Sequence, residues 1–195
     1  MNPRQPLTIE RVTHESRYFL NDFVHGMLEA DGVDGPTLEA LQGAEAPREL
    51  PPEHVREIKR AIRDIMDAEE KDQKLNAQLS LVPAGKELEV TRNVSRRLFD
   101  DGVFNWGRVM GLFYVAYRLC KKAVNVVGLL RSLIETIMDF MRENVINWIF
   151  QQGGWNGLLD FLRRSTKRNI LIFGGLAVAA AGVIIYKNWS IFTDQ

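Results

Sequence analysis

The sequence predicts an all-α protein: a bundle of eight to nine helices around a central apolar helix, with a C-terminal transmembrane helix. Three observations predict it. Apolar residues recur at helical spacing along most of the chain, with no competing strand alternation or hairpin signal. Phe104 to Val127 is apolar nearly all round, as a helix at the centre of a domain must be. Ile170 to Tyr186 is a run of seventeen residues without a charge.

Residues 1–12 hold Pro3, Pro6 and charges and are expected to be a flexible N-terminus without the apolar core of a signal peptide. From Thr13, a stripe through Phe19, Phe23 and Met27, flanked by Leu20, Val24 and Leu28, predicts an amphipathic helix to about Glu29. Residues 31–51, rich in Gly and Pro, are expected to form a flexible loop inside a helical domain spanning 13–163. Pro51 and Pro52 followed by Glu53 open a second helix. It runs through Val55, Ile58, Ile62, Ile65 and Met66 toward Lys74, with a short helical stretch to Leu81.

Pro83, Ala84 and Gly85 break the chain. Val90, Val94 and Leu98 then mark a third helix, ended by Asp100, Asp101 and Gly102. The central helix follows near 105–127, with a tight turn expected at Gly128. Leu129 to Phe150 is a further amphipathic helix, stopped by Gly153 and Gly154, and Trp155 to Leu162 a short one. The groove that these elements leave is expected between the Ile58 helix, the Val90 helix and the start of the central helix.

Residues 164–195 read as a tail anchor with its membrane segment at 170–186. As a helix that segment extends roughly 26 Å, a little short of a ~30 Å hydrocarbon core. Arg163, Arg164, Lys167 and Arg168 precede it and should stay on the cytosolic side, while Tyr186 and Trp189 suit an aromatic belt. Gly174, Gly175, Ala179 and Gly182 give the segment a small-residue side fit for close helix packing.

Catalysis is not expected. The chain has no phosphate-binding glycine loop, zinc-protease motif, CxxC pair or nucleophile elbow, and His14, His25 and His54 lack metal spacing. No metal or cofactor is implied. Cys120, the single cysteine, excludes an internal disulfide and falls in the most apolar helix, where an inert thiol is the default. Lys plus Arg and Asp plus Glu are 25 each, and basic residues are not interleaved with aromatics, so no nucleic-acid partner is expected.

The sharpest local signature is Phe104-Asn105-Trp106-Gly107-Arg108-Val109. Gly107 allows close helix approach, and Arg108 in the first turn of a buried helix needs a carboxylate. Gly153-Gly154-Trp155-Asn156-Gly157-Leu158-Leu159 follows one helix later, and then the uncharged tail. In order and spacing these resemble the first and second homology regions and the membrane anchor of the Bcl-2 family of apoptosis regulators. Upstream, Ile58, Ile62, Ile65 and Asp67 fit that family's third homology region. The match departs at Met66, where a small residue is usual, and at Glu69, where a fourth apolar anchor is common. A register ending at Asp64 would put Lys59 in an apolar slot and is rejected. The Phe19–Phe23 stripe can occupy the place of the fourth region.

The resemblance implies a fold, partners and a location. Val90, Val94, Leu98, Asn105, Trp106, Gly107 and Arg108 would line a groove for partner helices. Ile58, Ile62, Ile65 and Asp67 would be the chain's own interaction face. Gly154, Trp155 and Leu158 would carry the second homology region, and Ile170 to Tyr186 the anchor. Partners would be other Bcl-2 family proteins, further copies of this chain and membrane lipid. The location would be the cytoplasm and the mitochondrial outer membrane, with the endoplasmic reticulum as a second destination. Asp101 to Val109, Leu112-Phe113-Tyr114-Val115-Ala116 and the Gln152–Leu159 stretch are most similar to the pore-forming effector branch. A pro-survival member, using the same groove to sequester partners, is the alternative.

Overall fold

A computed structural model describes residues 6–33, 41, 45–69 and 82–164, the side chains of 67–69 excepted. Their regular elements are all helices, with no strand among the described residues. They form six helices. These are α1 (Ile9–Ala30), α2 (Pro52–Glu69), α3 (Glu87–Leu98), α4 (Trp106–Lys122), α5 and α6 (Asn156–Arg164). Helix α5 is continuous but not uniform: an α-helical segment Val127–Phe140, a π turn Met141–Val145 and a last segment Ile146–Gln151. Among the described residues the count is six, where eight to nine were expected over the whole chain. The stretch expected to reach Leu81 and the expected tail helix both lie outside the described residues.

Helix α1 starts at Ile9, four residues before Thr13. The cause is Thr8, whose hydroxyl accepts from the Arg11 backbone N–H at 3.1 Å. At the other end Gly32 takes φ +80°, and the N–H of Val33 returns to the Leu28 carbonyl, a left-handed helix stop. Asp31, at this C-terminus, accepts from the Tyr117 hydroxyl at 2.6 Å and pairs with Lys121 at 2.8 Å. The two contacts fasten the end of α1 to α4.

Helix α4 is the centre. Asn105 caps it, its Oδ1 accepting from the Arg108 N–H at 2.9 Å. Val109 to Tyr117 are all buried, as are Leu119 and Cys120. Helices α1, α2, α3 and α5 all pack against it. The helix ends at Lys122, and the chain turns through Ala123–Val126 instead of at Gly128, which lies in α5. Lys121 and Lys122 steady this C-terminus. Their ammonium groups reach Asp31 and the Val82 carbonyl and suit the negative end of the helix dipole.

The π turn has a packing reason. Buried Ile137, Met141, Val145 and Ile149 recur at steps of four, which outrun a 3.6-residue turn. The Ile146 N–H bonds to the Met141 carbonyl, five residues back, and absorbs the excess. The stripe therefore stays on the core. No described helix is long and apolar enough to cross a membrane. The expected anchor at 170–186 lies outside the described residues, as do residues 34–40 and 42–44 of the expected loop.

Candidate partner-helix groove

The residues expected to line a groove come together at the α3–α4 junction. Val90, Val94 and Leu98 are a single stripe of α3 and are buried. Trp106 and Gly107 are buried in the first turn of α4. Asn105 is half-buried and committed to capping. Ile58, Ile62 and Ile65 are likewise buried, on the inward face of α2, together with Met66. In this structure both apolar stripes are core. Asp67 lies in α2, but its side chain falls outside the described residues.

Arg108 is the partly exposed charged residue of the cluster, with 20% of its side chain accessible. Its Nη1 donates to the Leu98 carbonyl at 2.9 Å, to the Val103 carbonyl at 2.8 Å and to Asp101 Oδ1. Its Nη2 donates to Asp101 Oδ2 at 2.7 Å. The guanidinium thus grips one carboxylate with two nitrogens and knits the α3–α4 turn around itself. Asp101 is 48% accessible, and its Oδ1 also accepts from the Val103 N–H at 2.9 Å. The Arg108 fork, with help from that N–H, holds the Asp101 carboxyl down at about 2. Asp101 in turn raises Arg108 further above its ordinary value. Sequence reasoning demanded a carboxylate for Arg108 but read Asp101 only as a helix stop. The signal was its place in the turn just ahead, with Gly102 at φ +71° bending the chain back.

Gly154, Trp155 and Leu158, the residues expected to carry the second homology region, have structural places here. Gly153 and Gly154 take φ +88° and +72°, and the Gly154 N–H bonds to the Ile149 carbonyl, so they close α5. Trp155 is fully buried, against Phe19 of α1 at 4.9 Å and Trp106 and Phe113 of α4 at 5.5 and 5.7 Å between ring centroids. Leu158 is buried behind it. The Phe19–Phe23 stripe of α1 meets this cluster and α4, and Phe23 lies 6.2 Å from Phe113. A ledge of partly exposed aromatics runs outward from Trp106: Trp148 at 5.1 Å, then Phe104 at 6.4 Å from Trp148.

Two of the five buried polar residues among the described ones, neither signalled by the sequence, lie on α1. Ser16 accepts from the Trp155 indole, and Glu15 is fully buried, with Oε1 taking the Arg11 Nε–H at 2.8 Å and Oε2 left without a partner. Burial pushes the Glu15 carboxyl up, against the pull of Arg11. Cys120 is buried and burial pushes its thiol to about 12, so it stays protonated and unreactive. Among the described residues no group of three or more His, Cys, Asp or Glu could hold a metal ion.

The family model described as apoptosis regulator proteins, Bcl-2 family, matches residues 51–155. The chain is also 32% identical over 185 residues to the human apoptosis regulator BAX, covering 94% of this chain and 93% of that one. This chain belongs to the Bcl-2 family. Bovine BAX is 31% identical with the same coverage, and the human Bcl-2 homologous antagonist/killer is 31% identical over 99 residues, 49% of this chain and 46% of that one. Among solved structures, chicken BOK superposes with a TM-score of 0.61 over 79% of this chain and 98% of its own, at 17% identity, and supports the shared fold. The chain is therefore a Bax-like Bcl-2 family regulator of apoptosis, a family that acts by interaction with other Bcl-2 proteins rather than as enzymes.

Proposed function

We propose that this Bcl-2 family member is a pro-apoptotic, pore-forming effector. The observation that carries the reading is its likeness to BAX along 94% of the chain. The geometry supports a route. The Ile58–Ile62–Ile65 stripe is core at rest, so α2 has to leave the bundle before its apolar face can enter the groove of a second copy. The groove stripe of Val90, Val94 and Leu98 is equally buried and has to open. In the assembled pair, Asp67 of one copy meets Arg108 of the other. The 170–186 segment then holds the copies on the mitochondrial outer membrane, from a cytoplasmic or loosely docked resting state, with the endoplasmic reticulum as a second site.

The test is dye release from cardiolipin-containing liposomes by the purified full chain, with and without an activating amphipathic peptide. Peptide-dependent release supports the effector. Absence of release, together with suppression of release by another family member, makes the chain a pro-survival protein instead. Asp67→Arg should block oligomers after activation yet spare membrane attachment, measured by carbonate extraction. Oligomers that persist remove Asp67 from the mechanism.

A further inference from the structure

Arg108 is not a vacant site waiting for a partner. All four hydrogen bonds of its two terminal nitrogens go to acceptors within the α3–α4 turn, two of them on Asp101. A helix that brings its own carboxylate to Arg108 meets a guanidinium already neutralised. A helix without one leaves the guanidinium charge paired, because Asp101 keeps its hold. The ordinary penalty for failing to satisfy a charged group is therefore missing. We propose that Asp101 is an internal competitor for Arg108 and sets how strongly the groove discriminates helices with a carboxylate at this contact from helices without one. This rests on the groove reading above.

The geometry makes the exchange feasible. Asp101 is half-exposed in a turn, so it can rotate into water at small cost, while the Leu98 and Val103 carbonyls continue to hold Nη1. Exposed ion pairs are weak, so replacement of one carboxylate by another is nearly balanced. The internal carboxylate remains charged at any pH above its value of about 2, so physiological acidification does not release Arg108. Release comes from competition, not from titration.

The test is a two-by-two titration. The probes are fluorescein-labelled peptides of residues 52–69, one native and one with Asp67→Asn. The receptors are the full chain and its Asp101→Asn variant. Asparagine keeps an oxygen for the Val103 N–H but removes the charge. The ratio of the two peptide affinities should be small for the parent and should rise by about fivefold in the variant. Asp101→Glu, which restores a carboxylate, should return the ratio toward the parent value and controls for damage to the turn. An unchanged ratio overturns the proposal. An equal gain for both peptides also overturns it, since Asp101 then acts by stiffening the turn. If neither peptide binds the parent or either variant, the groove reading itself falls, and the competitor role with it.

Discussion

The indole Nε1 of Trp155 donates to the Oγ of Ser16, 3.0 Å away and 139 residues earlier in the chain. The same hydroxyl donates to the Val12 carbonyl at 2.7 Å, so Ser16 spends both its donor and an acceptor inside the core. One hydroxyl on α1 thereby completes the hydrogen bonding of Trp155, the largest fully buried side chain among the described residues. Ser16→Ala should leave the indole N–H without an acceptor and cost about 1–3 kcal/mol of stability. Urea unfolding followed by tryptophan fluorescence reads the change. A midpoint equal to that of the parent would mean the indole has another acceptor within reach.

Glu15, the residue before it, predicts a pH dependence. Its carboxyl is raised from 4.5 by desolvation, opposed by Arg11 and assisted by the Glu49 carboxylate, with a smaller lowering effect of His14. A carboxyl whose folded value lies above its unfolded one binds its proton more tightly in the fold. Its contribution to stability therefore falls as pH rises from 4.5 through the raised value. Glu15→Gln removes that titration and keeps an oxygen for Arg11. The thermal midpoint of the parent minus that of the variant should be higher at pH about 5 than at pH about 7.5. The opposite slope would show that the Arg11 pairing outweighs burial.

What was readable in the sequence follows from how local each signal is. The stripes of α2 and α3 and the opening of α2 at Pro52 depend on neighbours within two turns, and the structure has them where the spacing put them. The ends that were misplaced turned on one residue weighed against another. Thr8 caps a segment in which Pro3 and Pro6 point to loose chain, and α4 ends at Lys122 rather than near Gly128. The need of Arg108 for a carboxylate was legible, but its supply by Asp101 depends on a turn that curls back through Gly102. The Ser16–Trp155 bond could not be read at all, because packing alone brings those residues together.

Gly157 and Gly128 should respond oppositely to alanine. A Cβ at Gly157 would lie 2.4 Å from the Gln152 carbonyl oxygen, a backbone atom that cannot move aside without shifting the Gln152–Trp155 turn. A Cβ at Gly128 meets nothing within 4 Å, in the first turn of α5. Gly157→Ala should cost about 1–3 kcal/mol, as overpacking does. Gly128→Ala should leave stability unchanged or raise it by about 0.5–1 kcal/mol through helix propensity. Denaturation midpoints of both variants decide it. A neutral Gly157→Ala would mean that the α5–α6 turn is softer than its packing implies.

Arg108 and Gly107 offer two ways to test the proposed groove, and only one separates binding from folding. Gly107 is buried in the first turn of α4, so a bulky side chain there strains the core before any partner arrives. Arg108 is partly exposed, and its bonds are confined to the α3–α4 turn. Arg108→Glu removes the donor to the Leu98 and Val103 carbonyls and sets a second negative charge beside Asp101. Both groups can turn toward water, so circular dichroism should still report a folded bundle. Binding of the native 52–69 peptide should fall by more than about tenfold, since Asp67 now meets like charge instead of its partner. Undiminished affinity in a folded Arg108→Glu variant would remove Arg108 from the groove, and with it the pairing on which recognition of Asp67 depends.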